Sequence, residues 1–242
     1  MTGILYIVAT PIGNLSDISN RALETLKNVD YILSEDTRET QKLLARYDIQ
    51  ASQLIYTDQK HTKTLPKIIK LLQEGKNLAL VSDSGMPVIS DPGYKLIREL
   101  RRLDINIDVI PGPDAITSAL AISGLPTDKF VFLGFLPKGS SQRKKILEKY
   151  GKLDATLTIF ESPYRLGGLV QDIFDVLGHR EVSLVKDLTK KHQKVITLPI
   201  KDVLAKLDDV KKKGEYVVLV AKEGFCLRDE SGSSKSGKVS PR

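Results

Sequence analysis

The sequence predicts an α/β protein made of two α/β domains, the first with a largely parallel sheet. Three observations predict it. Short apolar runs alternate with helical patterns along most of the chain. Gly/Pro turns stand where buried strands should end. The second half carries its own strand set, and 242 residues allow one or two domains with a sizeable core. The boundary is expected near Pro111–Asp114, giving domains 1–113 and 114–225. A basic Ser/Gly tail over 226–242 carries almost no apolar residues and is expected to be disordered.

In order, the first domain should hold strands at 4–10, 31–35, 54–56, 78–82 and 107–111. Asp17 can cap a helix that aligns Ile18, Ala22, Leu23, Leu26 and Val29 on one face. Asp36 or Thr37 can cap a helix over 38–46, and Asp91 one from Tyr94. Leu65, Ile68, Ile69, Leu71 and Leu72 mark another helix, closed by Gly75. Asp114 should cap a small apolar helix running to Gly124. Strands at 130–135, 156–161, 181–187 and 216–221 follow, with helices near 141–151, 166–177 and 201–212 between them.

Composition narrows the partners. Hydrophobic residues make up 41%, so the chain should fold, and the net charge of +7 favours a polyanion such as nucleic acid. Lys138, Arg143, Lys144, Lys145, Lys149 and Lys152 face one acid, Glu148. A second basic cluster joins Lys186, Lys190, Lys191, His192 and Lys194. No stretch approaches the roughly 20 apolar residues of a membrane span, and no signal-type leader is visible. A cytoplasmic protein is the simplest expectation. Cys226, the single cysteine, has no disulfide partner.

Several chemistries lack their motifs. No G-x-G-x-x-G follows the first strand, and Gly134 to Gly139 has phosphate-loop spacing without the following Lys-Ser/Thr. H-E-x-x-H, C-x-x-C and G-x-S-x-G are absent. No metal ligand set or serine nucleophile is expected.

The turns are the positive signal. Ala9 to Asn14, Ser82 to Pro87 and Pro111 to Asp114 each follow an apolar run. Open α/β sheets bind ligands at the carboxyl ends of their strands, so these three turns could meet around one small molecule. Any one of them is also ordinary loop punctuation. Pro11 and Gly13 allow close backbone approach, and Asp83 could face a cation or a ribose hydroxyl. Met86 and Ile89 could flank a base, while Asp114 and Ala115 open a helix whose N–H groups seek acceptors. Glu35, Asp36, Asp91 and Glu161 also stand at or just after strand ends. Capping accounts for Asp36 but not for Glu161.

Several segments resemble successive blocks of the RsmI-type methyltransferases of the tetrapyrrole methylase superfamily. They are Ala-Thr-Pro-Ile-Gly-Asn-Leu (9–15), Glu-Asp-Thr-Arg (35–38) and Val-Ser-Asp-Ser-Gly-Met-Pro-Val-Ile-Ser-Asp-Pro-Gly-Tyr (81–94). Pro-Gly-Pro-Asp-Ala (111–115), Ser-Gly-Leu-Pro-Thr-Asp (123–128), Gly-Phe-Leu-Pro (134–137), Phe-Glu-Ser-Pro-Tyr-Arg-Leu (160–166) and Asp-Leu-Thr-Lys-Lys-His (187–192) continue the series. The resemblance implies two α/β domains of the tetrapyrrole methylase type, with the active-site cleft between them, and a homodimer. It implies S-adenosylmethionine (SAM) as cofactor and a cytidine ribose 2′-hydroxyl in the decoding region of 16S ribosomal RNA as acceptor. Pro11, Ser82, Asp83, Ser84, Met86, Asp114, Ala115, Phe160, Glu161 and Asp187 would bind the cofactor. Lys190 or Asp91 would assist catalysis. Arg38, Lys138, Arg143, Lys144, Lys145 and Arg165 would grip RNA of the small ribosomal subunit. Two departures from the family pattern stand out, at Tyr56 to His61 and at Lys186-Asp187. The alternatives are methylation of a tetrapyrrole or other small molecule, and an RNA-binding module without catalysis.

Overall fold

The computed structural model describes residues 2–207 and 213–227. The tail from 228 onward, and residues 208–212 of the helix expected over 201–212, lie outside the described residues. The chain forms two compact units, Met1–Ser118 with Asp187–His192, and Ala119–Lys186 with Gln193–Arg242. The division falls inside a helix, a little beyond the expected 113/114, and the loop after Lys186 groups with the first unit.

In the first unit five strands alternate with helices: β1 (Leu5–Val8), α1 (Asn20–Asn28), β2 (Tyr31–Ser34), α2 (Thr37–Arg46), β3 (Ser52–Ile55), α3 (His61–Gln73), β4 (Leu78–Leu80), α4 (Tyr94–Arg102), β5 (Ile107–Ile110) and the start of α5 (Ala115–Ser123). The sheet order is β3-β2-β4-β1-β5, and every pairing is parallel. The period-2 alternation of strands sorts the core into two layers. Val8, Ile32, Ala79 and Ile110 face α1 and α2, which contribute Ala22, Leu26, Leu43 and Leu44. Leu5, Ile7, Leu33, Leu78 and Leu80 face α3 and α4, which contribute Ile68, Leu72, Leu96 and Leu100. Each such leucine, removed from water, stabilises the unit by about 1.5–3 kcal/mol.

The caps refine the expected elements. Asp17 does not cap α1. Ile18 is extended and buried, so the helix starts later, and Ser19 accepts from the Ala22 N–H. Asp17 sits in a one-turn 3₁₀ helix that Asn14 caps. Asp36 caps α2, as expected, by accepting from the Arg38 N–H at 2.8 Å. Asp91 does not cap α4. That helix follows Gly93, at φ 137°, without a side-chain cap. A Cβ on Gly93 would stand 2.8 Å from Leu80 Cδ2 and 2.9 Å from Val88 Cγ2, so only glycine fits there.

The second unit has a five-stranded sheet of order β6-β7-β10-β8-β9. Its strands are β6 (Phe130–Phe135), β7 (Thr156–Glu161), β8 (Glu181–Lys186), β9 (Lys194–Pro199) and β10 (Tyr216–Val220). β6 pairs parallel to β7, and the other pairs are antiparallel. β9 is an element the sequence reading missed. Helices α6 (Ser140–Tyr150), α7 (Leu166–Leu177) and α8 (Ile200–Ala205) supply Leu147, Leu166, Leu169, Val170, Ile173, Ile200 and Val203 to one core.

A buried ion pair joins α6 to α7. Both side chains are 6% exposed, and the Arg143 Nη2 meets Asp172 Oδ2. Arg143 Nε also donates to that oxygen at 2.6 Å, and Ser140 Oγ donates to the other at 2.7 Å. Arg143 Nη2 donates to the Gly168 carbonyl at 3.2 Å.

Candidate active site

In the first sheet, the chain leaves β2 toward the α1/α2 layer and leaves the adjacent β4 toward the α3/α4 layer. Neighbouring strands whose chains depart to opposite faces open a crevice at their carboxyl ends. Glu35 and Asp36 follow β2, and Ser82 to Asp91 follow β4.

The three expected turns meet inside this unit. Thr10 and Gly85 form an antiparallel bridge, with N–H to carbonyl distances of 2.9 and 3.1 Å. The Thr10 hydroxyl donates to the Ser82 carbonyl at 3.1 Å. A Cβ on Gly85, at φ 81°, would lie 3.1 Å from Ile12 and 3.8 Å from the Pro113 carbonyl. One on Gly112 would lie 3.0 Å from the Ala9 Cβ. Thr10, which the sequence reading passed over, therefore ties the first turn to the second through its hydroxyl as well as its backbone. Its place beside Pro11 was the available signal.

A fourth segment, Asp187 to Lys190, closes on the first turn. The Asn14 N–H donates to Thr189 Oγ1 at 3.0 Å. A Cβ on Gly13 would fall 2.5 Å from the Leu188 carbonyl oxygen and 2.7 Å from the Lys190 Cγ. Gly13 is thus required by close approach of two chain segments. Gly13→Ala is expected to force them apart at about 1–3 kcal/mol, read as a lower denaturation midpoint. An unchanged midpoint would show that the two segments separate without cost.

Both loops hold unusual backbone. Val88 and Ser90 have φ of 77° and 66°, and Asp187 and Thr189 have φ of 49° and 61°. A β-branched residue in this region is strained, and such strain persists where the surroundings over-determine it, often at functional sites. Nothing in the side chains of Val88 or Thr189 signals this from sequence.

Carboxylates concentrate at the same strand ends. Burial pushes Asp91 up to about 6, the Glu35 and Asp83 charges add to the rise, and a hydrogen bond from Ser82 opposes it. Glu35 is raised by burial first, then by Asp83, Asp58 and Asp36. Asp83 is raised by burial, partly offset by a hydrogen bond with the Asp36 backbone. Asp58 accepts from the Gly93 N–H at 3.3 Å and from the Tyr56 hydroxyl at 3.5 Å, and that hydroxyl is 2.9 Å from His61 Nδ1. Burial and Asp58 hold the Tyr56 hydroxyl well above its ordinary value. The departure at Tyr56 to His61 thus builds a polar brace behind the loop after β4. Among the described residues, no group of three or more His, Cys, Asp or Glu is arranged to hold a metal ion.

The field of these carboxylates favours a cation. Asp83 and Ser84 are exposed at its edge, while Pro11 and Ser82 are buried behind it. Met86 is half-buried and packs on the α3/α4 core. Asp114 caps α5, accepting from the Thr117 N–H at 2.8 Å and its hydroxyl at 2.9 Å. Ala115 is in the first turn of that helix. Asp187 is half-buried in the fourth segment.

The remaining expected residues lie elsewhere, and three need correction. In the second unit, Phe160 packs edge-on against Phe132 and Phe135, with centroids 4.9 and 5.6 Å apart. The Glu161 carboxylate is fully buried. It accepts from the Ser162 N–H at 2.7 Å and lies 3.3 Å from Arg165, so it is an interior group, not a ligand-facing one. Arg165 Nη2 is engaged by the Leu136 and Pro137 carbonyls at 2.5 and 3.1 Å. It braces its own unit instead of presenting a fork to phosphate. Arg143 is corrected likewise, since its guanidinium is buried on Asp172. Lys144 leans on Asp175 at 2.7 Å, whereas Lys138 and Lys145 are exposed. Arg38 is 86% exposed but pairs with its own Asp36 at 2.6 Å, which holds that carboxyl down at about 2.

Residues 4–204 match the family of Tetrapyrrole (Corrin/Porphyrin) Methylases, and the chain belongs to that family. The expected RsmI-type resemblance is borne out by curated relatives. The chain is 46% identical over 219 residues to ribosomal RNA small subunit methyltransferase I of Thermotoga maritima, covering 90% of this chain and 98% of that one. It is 43% identical over 231 residues to the protein of the same name from Escherichia coli O157:H7, covering 94% and 80%. Among solved structures, diphthine synthase aligns with a TM-score of 0.70 at 14% identity, covering 90% of each chain. Uroporphyrin-III C-methyl transferase from Thermus thermophilus, complexed with S-adenyl homocysteine, aligns at 0.63 and 16%, covering 90% and 97%. At those identities the likeness is one of fold. SAM, the expected cofactor, is the methyl donor of this family. Among the described residues, no helix is long and apolar enough to cross a membrane.

Proposed function

We propose that this protein transfers the methyl group of SAM to the ribose 2′-hydroxyl of a cytidine in the decoding region of 16S ribosomal RNA. The observation that carries the reading is the meeting, in one compact unit, of four segments that resemble family blocks, around carboxylates whose field suits a cation. The names of the relatives supply the acceptor class, small-subunit ribosomal RNA. The reading places the protein in the cytoplasm, as a homodimer, acting on the small subunit.

When bound, SAM supplies an electrophilic methyl on a sulfonium that leaves readily. Pro11, Ser82, Asp83, Ser84, Asp114, Ala115 and Asp187 are assigned to hold it, with Met86 behind them. Alignment of the acceptor oxygen can lower the barrier by about 7–11 kcal/mol. A ribose hydroxyl is a weak nucleophile, so a base must take its proton as the oxygen–carbon bond forms. Asp91 is assigned that role, because a carboxylate poised at about 6 is ionised yet basic near neutrality. Lys190, which lies against the Pro11–Gly13 turn, is assigned to steady the developing charge. Lys138 and Lys145 are assigned to RNA phosphate.

Labelled methyl transfer tests the reading. Small ribosomal subunits lacking this modification should be labelled, and a carboxylate-rich porphyrinoid should not. Labelling of the porphyrinoid alone would favour the small-molecule alternative. Absence of SAM binding by calorimetry would leave only a non-catalytic module.

A further inference from the structure

The α3/α4 layer carries a charge pattern to which no role is assigned above. Lys60, Lys63, Lys67 and Lys70 are all exposed and recur at the spacing of one helix face. At 1.5 Å rise per residue, they form a row of about 15 Å. No acid lies between 60 and 73. Helix α4 packs beside α3 on the same side of the sheet and exposes Lys95, Arg98, Arg101 and Arg102 against one acid, Glu99. The two segments, 60–73 and 94–102, together hold a net excess of seven positive charges, equal to the net charge of the whole chain.

Neutralisation is uneven among the basic segments. On α4, Glu99 answers Arg98 and Arg102. On the α6 segment, Arg143 and Lys144 are answered by Asp172 and Asp175, while Lys138, Lys145, Lys149 and Lys152 stay exposed without an ion pair among the described residues. On α2, Arg38 and Lys42 are answered by Asp36 and Glu39. Among the described residues, Lys60, Lys63 and Lys67 have no ion-pair partner, and Lys70 meets Glu74 only at 3.8 Å. The rim also carries Tyr94, 61% exposed, with the Arg98 guanidinium 5.9 Å from its ring centre.

We infer that the outer surface of α3 and α4 is an RNA-docking face, on which the lysine row follows a phosphate backbone and Tyr94 with Arg98 receives an unstacked base. The inference deepens the reading above and rests on RNA being the substrate. Lysines act as point charges that position a backbone without reading sequence. An aromatic ring beside a guanidinium is the kind of platform on which single-stranded bases stack. An anionic membrane would need apolar side chains on the same helix to insert. α3 exposes no large hydrophobic residue; on α4 only Tyr94 does, with Leu103 just beyond its end.

The test replaces the row with glutamine, K60Q/K63Q/K67Q/K70Q, which keeps helix propensity and touches no buried group. Binding to small ribosomal subunits is measured against salt concentration for wild type and variant, alongside SAM affinity and the melting temperature. Each lost phosphate contact reduces the log–log salt slope by about 0.7–0.9. The expected result is a slope shallower by about 3, with unchanged SAM affinity, and a slope restored by K60R/K63R/K67R/K70R. A pairwise K63Q/K67Q variant should show about half the loss, and serves if the fourfold variant melts early. An unchanged slope in a folded variant overturns the docking face while leaving the proposed function intact. A wild-type protein that binds no subunit overturns both. Loss of binding to phosphatidylserine vesicles with an unchanged RNA slope overturns it in favour of a membrane.

Discussion

Asp91→Asn is expected to lower methyl transfer by roughly 10²–10⁴-fold, the usual contribution of a general base, while raising the stability of the folded protein at neutral pH. Both effects have one cause. Burial, with Glu35 and Asp83 nearby, holds the carboxyl at about 6 instead of near 3.8. The folded state therefore favours the protonated acid. Its stabilising contribution is complete below the unfolded value and is lost as pH rises through about 6. Asparagine has no charge to bury, so the variant keeps that contribution at pH 7 and above. The gain, discounted for partial exposure, is about 1–2 kcal/mol. Denaturant midpoints of variant and wild type should nearly coincide below the unfolded value of 3.8, diverge progressively above it, and be fully apart by pH 7. The wild-type rate should rise with pH through about 6 and then level. A variant with wild-type rate at saturating RNA would remove Asp91 from the chemistry.

The largest loss of stability is expected at Asp172. Truncation to alanine leaves the Arg143 guanidinium buried without its counter-charge and strands the Ser140 hydroxyl. Breaking a buried pair from one side costs about 3–5 kcal/mol. Arg143→Ala should cost less, because Lys144, 3.6 Å from the other carboxylate oxygen, and the Ser140 hydroxyl still answer Asp172. Replacing both partners together, with Arg143→Met and Asp172→Leu, should cost far less than either single change, because no charge is then left unpaired. Urea titration of the four proteins checks this. A loss below about 1 kcal/mol in Asp172→Ala would mean that water reaches the pair. The same series separates architecture from recognition: an Arg143 variant that still folds should retain the wild-type salt slope for RNA.

Much of the fold was legible because the strands are short, apolar and bounded by Gly or Pro. The strand runs near 31, 78, 107, 130 and 156 appear close to where they were expected. β9 escaped because its first residue, Lys194, read as the end of a basic cluster and hid the following Val-Ile-Thr-Leu alternation. The cap of α1 was misplaced by three-residue ambiguity. Asp17, Ser19 and Asn20 are all capping types, and the burial of Ile18 chose among them. At the site, Gly/Pro turns announced where the backbone comes close, and the meeting of the three turns followed from parallel strand polarity. Side-chain roles were less legible. Charge alone cannot distinguish an exposed lysine from Arg143 on its buried Asp172, because the partner lies in another helix. Nor does sequence show that the Glu161 carboxylate faces inward on Arg165, or that the segment after Lys186 folds back against Gly13.

The central claim is that the strand-end turns of the first unit present a SAM methyl to a ribose oxygen. The most direct measurement is the position of a labelled methyl in RNA recovered from small ribosomal subunits after reaction, mapped by nuclease digestion and mass spectrometry. The label is predicted on the 2′-oxygen of one decoding-region cytidine, rendering that linkage resistant to alkali. A label carried on a base, or none transferred while SAM binds, would contradict the account.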